Sequence, residues 1–545
     1  MNKNTKHIIL IFVGLLLINF ATQNFYKRLD LTKDKRYTLT ETTHEILNEL
    51  DHSIFINVYL EGEFPSEFQR LQIETRQFLE ELKAQNSNII FRFINPDDQR
   101  EKLIKKEMFP SQLTVEEDGK LSEAIIFPWA EIEYQNRTEL VNLLPNSVVA
   151  SQEEQLQNAI ENLEYSFINA IYSAQQKNKK KIAVISGNGE LQDVFLYSFL
   201  SEVSKKYQLA KFTLDSVVAN PQKTLLNLTK FDLAIIAKPT QQFTADEKFT
   251  LDQFVINGGK SLWMIDNVQA DLDSLYGSGK MLAYPRDLGL TDLFFSYGIR
   301  INNLLVKDLY AAKIPLATGN VGKTPQFQNL EWFFNPLANG NENHPITKNI
   351  LPVRIQFGTQ IDTLKNSLKK TPLLVSSSLT QKVGVPNFIE LQSIAEEPTE
   401  DRYKDGFQTF GILLEGEFKS AYKDRIQPFK SSVYKENGIT KMIVISDGDV
   451  IKNQLLKGKP YDLSSDKWTN EQFGNKDFLL NSVDYLLDDI GLLTLRNKSL
   501  TINLLDKQKA YQERSFWQFV NVGLPLILLL IFGLIFNFLR KRKYS

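Results

Sequence analysis

From Phe516 to Leu539 the chain carries no charged residue, and Arg540, Lys541, Arg542 and Lys543 follow at once. At about 1.5 Å of rise per residue, such a helix crosses a hydrocarbon core of about 30 Å with some tilt. Trp517 at one margin suits a membrane interface, the basic cluster at the other suits the cytoplasmic face, and Pro525 is tolerated inside a membrane helix. The span 516–539 is therefore expected to be a transmembrane helix that ties the body of the chain to a bilayer.

A second apolar run, Ile8 to Ala21, lies at the opposite end and can be extended by His7 and by Thr22 to Tyr26. It suits either the core of a signal peptide or a membrane helix. The stretch Ala21-Thr22-Gln23-Asn24-Phe25-Tyr26 offers no good pair of small residues for cleavage, so a retained anchor over 7–26 is expected. Lys27, Arg28, Lys33, Lys35 and Arg36 follow it and, taken alone, would draw its C-terminal side to the cytoplasm. Two spans, however, put both tails on one side, and a cytoplasmic body would require the four basic residues after Leu539 to be translocated. The topology read here is two-pass, with both termini inside and the large middle region outside. The five basic residues after the first anchor then lie in solvent or meet lipid headgroups or a partner.

Between the anchors the composition is that of a folded protein, with 42% hydrophobic and 23% charged residues, so the mean hydropathy of -0.25 conceals the two ends. Lys and Arg number 63 against 65 Asp and Glu, which leaves no basic field for nucleic acid. The chain has no cysteine, which excludes disulfides, thiolate nucleophiles and Cys-ligated metal centres. Four histidines, His7, His44, His52 and His344, leave little general-base or metal chemistry.

Hydrophobic periodicity divides the middle region. Thr40 or Thr42 can cap a short helix, with Thr42 and Glu45 at capping-box spacing. The strand Ile54–Leu60, a helix opened by Pro65, the strand Ile89–Ile94 and strand-like runs to Leu143 follow, an order that matches a thioredoxin-like α/β module over 27–150. Without a CxxC motif that module has no redox role. A long amphipathic helix is expected from Ser151 to Gln176, closed by Lys177 to Lys181 as a solvated boundary or a partner or lipid contact. Alternating strands and helices from Ile182 to Asp266 predict a doubly wound α/β domain whose first part is 151–276. Residues 277–435 lose that periodicity and are expected to form an insertion or β-rich lobe. The run Lys441–Ser446 and a helix from Asn475 to Asp488 return to it, so 436–505 should complete the domain.

No catalytic constellation emerges. Gly258-Gly259-Lys260-Ser261 has Phe254 where a P-loop needs glycine, and helix leads into strand rather than the reverse. Ser186-Gly187-Asn188-Gly189-Glu190 sits where doubly wound sheets bind ligands, at a strand's C-terminal end. A tight turn is the first reading of these five residues, a ligand or partner contact the second, and a catalytic serine the last, since Val184 and Asn188 replace the glycines of a nucleophile elbow. Asp447 and Asp449 read first as a capped turn; they could hold a hydrated cation only with a third ligand that the sequence does not name. No metal, cofactor or catalytic residue is therefore assigned, and the contact candidates are Ser186 to Glu190 with Asp447 and Asp449.

Leu29-Asp30-Leu31-Thr32 and Arg36-Tyr37-Thr38-Leu39-Thr40 stand just after the first anchor. They are followed in order by Gly187-Asn188-Gly189-Glu190, Asn257-Gly258-Gly259-Lys260, His344-Pro345-Ile346-Thr347, Glu415 to Ser420, Ser446-Asp447-Gly448-Asp449, Asn481 to Leu487 and Leu495 to Lys498. Over nearly its whole length the chain resembles the GldG family, auxiliary membrane components of the gliding-motility ABC transporter of Bacteroidetes-type bacteria. That resemblance implies a central domain like a class I glutamine amidotransferase without catalysis, which agrees with the absent cysteine. Asn188 stands where relatives often have His. It also implies a bacterial inner-membrane protein with a periplasmic body, a GldF-like permease and a GldA-like ATPase as partners, and membrane lipid around the anchors. The function expected is a non-enzymatic subunit that binds substrate or partners and couples to the transporter. A stand-alone periplasmic sugar- or peptide-binding receptor and a degenerate hydrolase are the competing expectations.

Overall fold

The computed structural model describes residues 38–62, 66–117, 120–144, 152–176, 178–321, 324–395, 397–497 and 507–544. The anchor expected over 7–26 lies outside the described residues. Two compact units succeed one another, Met1–Lys498 and Ser499–Ser545.

Among the described residues, the first element of the first unit is helix α1, Glu41–Asn48, capped by Thr40, whose side chain accepts the Thr43 N–H. Thr40 rather than Thr42 serves because a buried carboxylate holds it. Glu164 Oε1 accepts the Thr40 N–H at 2.8 Å and the Thr40 and Thr43 hydroxyls at 2.9 and 2.8 Å. Strands β1 (Ile54–Val58) and β2 (Ile89–Phe93) are parallel and joined through helix α2, Ser66–Gln85. A hairpin of β3 (Ser111–Glu117) and β4 (Lys120–Ile126) follows, then β5 (Trp129–Tyr134), antiparallel to β1, and β6 (Arg137–Asn142). The four-stranded sheet runs β2-β1-β5-β6. Ile54, Ile56, Val58, Ala130 and Ile132 bury their side chains in it.

The single helix expected over 151–176 breaks at Asn162 into α3 (Gln152–Glu161) and α4 (Leu163–Gln175). Asn162 donates its side-chain N–H to the Asn158 carbonyl, one turn back. Helix α4 lies against β5 and β6, with Phe167, Ile168 and Ile171 buried.

The remainder of this unit is organised by a ten-stranded sheet. Its parallel half contains β7 (Lys181–Ser186), β8 (Gln208–Thr213), β9 (Leu233–Ala237) and β10 (Lys260–Met264). Its antiparallel half contains β11 (Ala311–Val321), β12 (Thr324–Gly340), β13 (Lys369–Val375) and β14 (Thr409–Lys419). Strand β15 (Asn437–Ile445) joins the halves, parallel to β10 and antiparallel to β14. The order is β11-β12-β13-β14-β15-β10-β9-β7-β8, with Val353–Arg354 paired to β12 off this path. Residues 277–435 are thus rich in strands. Five of those strands, counting Val353–Arg354, belong to the main sheet, where β14 pairs the edge of β15 that would otherwise be open.

Alternation along the parallel strands divides two cores. Ile182, Val184, Ile235, Leu262, Met264 and Ile443 face helices α5 (Asp193–Lys206) and α8 (Asn475–Leu487). Ala183, Ile185, Ile236, Trp263 and Val444 face the side of α6 (Pro221–Leu228) and α7 (Ala245–Ile256). Thr244 and Glu247 form the capping box of α7 that their spacing predicts.

The second unit contains α9, Arg514–Tyr544, a 31-residue helix with Pro525 inside it. Within Arg514–Arg542 its most apolar 18-residue stretch has a mean hydropathy of 2.6 and presents its apolar side chains outward, so the helix is long and apolar enough to cross a membrane. The helix fits a membrane-associated protein.

Replacing Glu164 by Ala removes three bonds from one buried carboxylate oxygen, and hydrogen bonds to charged groups contribute about 1.5–3 kcal/mol each, far from additively. We expect about 3 kcal/mol of destabilisation and faster amide exchange across α1, measured by hydrogen–deuterium exchange. Unchanged protection of α1 would show that the Glu164 bonds do not hold it.

Candidate functional site

Strands β7, β9, β10 and β15 end along one edge, and each is followed by a polar group. In an open parallel sheet, ligands bind at such an edge, where successive connections leave in opposite directions. Here that position lies between β7 and β9, because the chain steps from β7 outward to β8 and returns to pair β9 on the other side.

Ser186 to Glu190 occupy this position. The Ser186 hydroxyl donates to the Phe212 carbonyl at 3.4 Å rather than to a base. Asn188 is buried, and its carbonyl accepts the N–H groups of Thr240 and Gln241 at 2.9 Å. Its side-chain N–H reaches Glu247 Oε2 at 3.1 Å, the same oxygen that accepts the Thr244 N–H at 2.8 Å. The turn is thereby bonded to the capping box of α7. Glu190 accepts the Asn188 N–H at 2.8 Å, and burial pushes its carboxyl above the usual carboxylate range. Gly189 has φ +73°, and a Cβ there would stand 2.1 Å from Thr240 Oγ1, so only glycine fits. These five residues form a tight turn tied by internal bonds, in which Asn188 Oδ1 and Glu190 Oε1 are buried without a hydrogen-bond partner among the described residues.

The structure brings Asp447 and Asp449 together with two residues that the sequence reading missed, Lys238 and Asp266. Carboxylate oxygens of Asp266, Asp447 and Asp449 lie within 4.8 Å of one another. Asp266 supplies the third carboxylate that a cation site would need. The positive charge, however, comes from Lys238, whose Nζ is 2.5 Å from Asp449 and 3.2 Å from Asp266. Lys238 follows β9 with φ +53°, an unusual backbone conformation for a long side chain, and its N–H is fixed by the Met264 carbonyl at 2.9 Å. Gly448 leaves room for it, since a Cβ at that position would fall 2.5 Å from Lys238 Cγ. The Gly448 N–H donates to Asp266 at 2.5 Å, while Asp447 accepts the N–H groups of Asp449 at 2.8 Å and Gln356 at 2.9 Å. Arg286 stands 4.0 Å from Asp266, and Lys452 stands 3.8 Å from Asp449.

Burial, with Asp449 and Asp266 beside it, pushes Asp447 well above the usual carboxylate range. Burial also raises Asp266, against the pull of Lys238. For Lys238 burial opposes the charged form, but Asp266 and Asp449 more than offset it and hold the ammonium above the ordinary lysine range. All four side chains are buried. Chemically this is a neutralised clamp across the ends of β9, β10 and β15, tied through Gln356 to the loop after β12. The sequence signal for Lys238 and Asp266 was the one that exposed Asp447: a polar residue directly after a fully apolar strand, Leu233–Ala237 in one case and Leu262–Ile265 in the other.

His344 is a loop residue, as expected. Its Nδ1 accepts the Ile346 N–H at 3.3 Å, its ring meets Tyr485 at 5.1 Å, and burial pushes its pKa down to about 4.

A membrane-associated α/β body with internally bonded polar groups at its ligand edge is the class of protein that these features define. The family model described as ABC-type uncharacterized transport system matches residues 179–482, which cover the ten-stranded sheet from β7 to α8, and a domain family of unknown function matches residues 33–133. The chain belongs to the ABC-type transport-system auxiliary family. An uncharacterized protein of Borreliella burgdorferi is 23% identical over 99% of this chain and 97% of its own length. Among solved structures, the mmIFT52 N-terminal domain has a TM-score of 0.33 at 14% identity, covering 57% of this chain and 99% of that one. A ThuA-like protein of Parabacteroides merdae has a TM-score of 0.29 at 10% identity, covering 61% and 94%.

Lys238→Met leaves three buried carboxylates without their ammonium, and breaking a buried pair costs about 3–5 kcal/mol. The sign with pH follows from the raised carboxyls. Their folded forms hold protons that the unfolded chain releases, so the variant's deficit should grow as pH rises from about 5 to 8. Urea unfolding across that range measures it, and a deficit independent of pH would separate Lys238 from the carboxylates. His344→Gln tests a second linkage. A neutral folded His344 with a depressed pKa gives up stability as pH falls from about 6.5 to about 4. The variant should lose less stability than the wild type over that interval.

Proposed function

We propose that this chain is a non-enzymatic, GldG-type subunit of an ABC transporter complex, which binds a substrate or partner and couples to a permease and an ATPase. The observation that carries the reading is a match to an ABC-type transport-system family over the large sheet in a chain that also has an exposed, bilayer-length helix. The closed clamp at Lys238 supports a scaffold role, since its carboxylates are occupied within the fold. The hydrogen bond from Ser186 to a carbonyl likewise favours the tight turn over a catalytic serine.

In this proposal the chain is two-pass, anchored through 7–26 and 516–539, with both tails cytoplasmic and its body in the periplasm. Residues 27–150 form the thioredoxin-like module, a reading supported by the order β2-β1-β5-β6 with β5 antiparallel to β1. Residues 151–276 and 436–505 are the amidotransferase-like, doubly wound part, with 277–435 as its insertion or β-rich lobe. The parallel half of the large sheet, with helices on both faces and its first strand internal, supports the doubly wound reading. The partners are a GldF-like permease, a GldA-like ATPase and the surrounding lipid, and the physiological readout is gliding.

Affinity purification of the tagged full chain in mild detergent should recover a permease and an ATPase in fixed ratio. Recovery of the intact chain alone would favour the stand-alone receptor. The Ser186→Ala, Glu190→Gln double variant should retain gliding; its loss with the fold and complex intact would restore the degenerate hydrolase.

A further inference from the structure

A cleft of about 730 Å³ lies within the first unit, between α3 and the start of α4 on one side and α8, the 349–351 loop and the 464–473 segment on the other. This volume falls in the range of small-molecule sites, roughly 300–1,000 Å³. Most of its lining, from β6 and from α3 and α4, falls between the two matched family regions or, at Arg496, after them.

The cleft is dominated by carboxamides. Asn142, Asn158, Asn162, Asn349, Gln472 and Asn481 all line it. A carboxamide offers two N–H donors and one oxygen acceptor with two lone pairs, and most of these groups use only part of that capacity inside the protein. Asn142 Oδ1 accepts the Leu144 N–H at 3.0 Å, and Asn158 Oδ1 accepts from Asn349 Nδ2 at 3.3 Å. Gln472 Oε1 accepts the Ser465 hydroxyl at 2.8 Å, and Asn162 Nδ2 donates to the Asn158 carbonyl at 2.7 Å. Among the described residues, the amide nitrogens of Asn142, Asn158 and Gln472 have no protein acceptor, and the amide oxygens of Asn162 and Asn349 have no protein donor. Residues with uncommitted donors and residues with uncommitted acceptors thus line one half-open space.

Both cations there are already engaged: Lys476 pairs with Asp462 at 2.8 Å, and Arg496 donates to Asn481 at 2.7 Å while lying over the Tyr165 ring. Two carboxylates, Glu154 and Asp477, also line the cleft, and burial pushes the Asp477 carboxyl above the usual carboxylate range, toward its neutral form. An anionic ligand would have to displace the partners of the two cations. An extended peptide would want a strand edge, whereas these walls are helix faces, loop segments and the last residue of β6. A hydroxyl both donates and accepts without net charge, and vicinal hydroxyls match the spacing of a carboxamide's N–H and C=O. Ala159 and Leu163, buried in the same wall, offer an apolar floor for the C–H face of a sugar ring.

We propose that this carboxamide-lined cleft between α3 and α8 binds a neutral oligosaccharide of two or three rings. The assignment does not depend on the transporter reading, because it concerns binding by the chain itself.

The test uses the full chain in mild detergent, titrated calorimetrically with maltotriose, cellotriose and N,N′,N″-triacetylchitotriose, and with trialanine as the peptide control. One trisaccharide should give a saturable one-site isotherm. The Asn158→Ala, Asn349→Gly double variant keeps a good helix former at 158 and the left-handed backbone at 349, where φ is +58°. It should weaken that isotherm by about tenfold or more with a melting temperature within about 2 °C of the wild type. Should the double variant unfold, Gln472→Met provides the same comparison with side-chain volume preserved. The proposal is overturned if no trisaccharide binds up to about 10 mM, if trialanine binds in their place, or if a folded amide variant binds as the wild type does.

Discussion

One ammonium in the midst of three carboxylates holds together the ends of the strands on which the large sheet is built. Lys238 follows β9, Asp266 follows β10, and Asp447 and Asp449 follow β15, so the cluster joins three adjacent strands whose connections are otherwise long and separate. Burial makes each charge costly alone, and their mutual arrangement makes the set tolerable. The left-handed backbone at Lys238 and the missing side chain at Gly448 are both consequences, because the lysine reaches the carboxylates only past a residue without a Cβ. Gln356 extends the same network to the segment after β12.

Much of this was legible in the sequence wherever the signal was local. The apolar runs that become β7, β9, β10 and β15 stand out because a strand buried on both faces needs uninterrupted apolar residues. The Thr244–Glu247 capping box and the α9 span were likewise readable, each being fixed by residues a few positions apart. What failed to show is what depends on distant partners. Thr40 rather than Thr42 caps α1 because Glu164 holds it, and α3 breaks from α4 at an asparagine that periodicity alone does not mark. Asp447 and Asp449 signalled a charged turn, but their third carboxylate and their lysine come from two other strands far away in the chain. Nor did the degraded periodicity of 277–435 reveal that its long strands extend the main sheet. A strand with one face under short loops and small sheets does not carry a clean alternation.

These features divide the labour within the chain. The strand ends carry internal bonds at Asn188, Glu190 and Lys238, with Asn188 Oδ1 and Glu190 Oε1 buried there without a hydrogen-bond partner among the described residues. Further polar capacity lies beside α3 and α4, near the start of the large sheet. Glu164, near the start of α4, also fixes the segment that enters α1. A shift of these helices would therefore be felt at both the cleft and the segment entering α1, an arrangement that suits the proposed coupling role.

The most direct measure of that account is the ATP hydrolysis rate of the reconstituted permease and ATPase in proteoliposomes, with and without this chain. A subunit that couples its body to the transport cycle should change the rate several-fold, and a version lacking Arg514–Tyr544 should not. An identical rate with the full chain present, absent or truncated would contradict the coupling role.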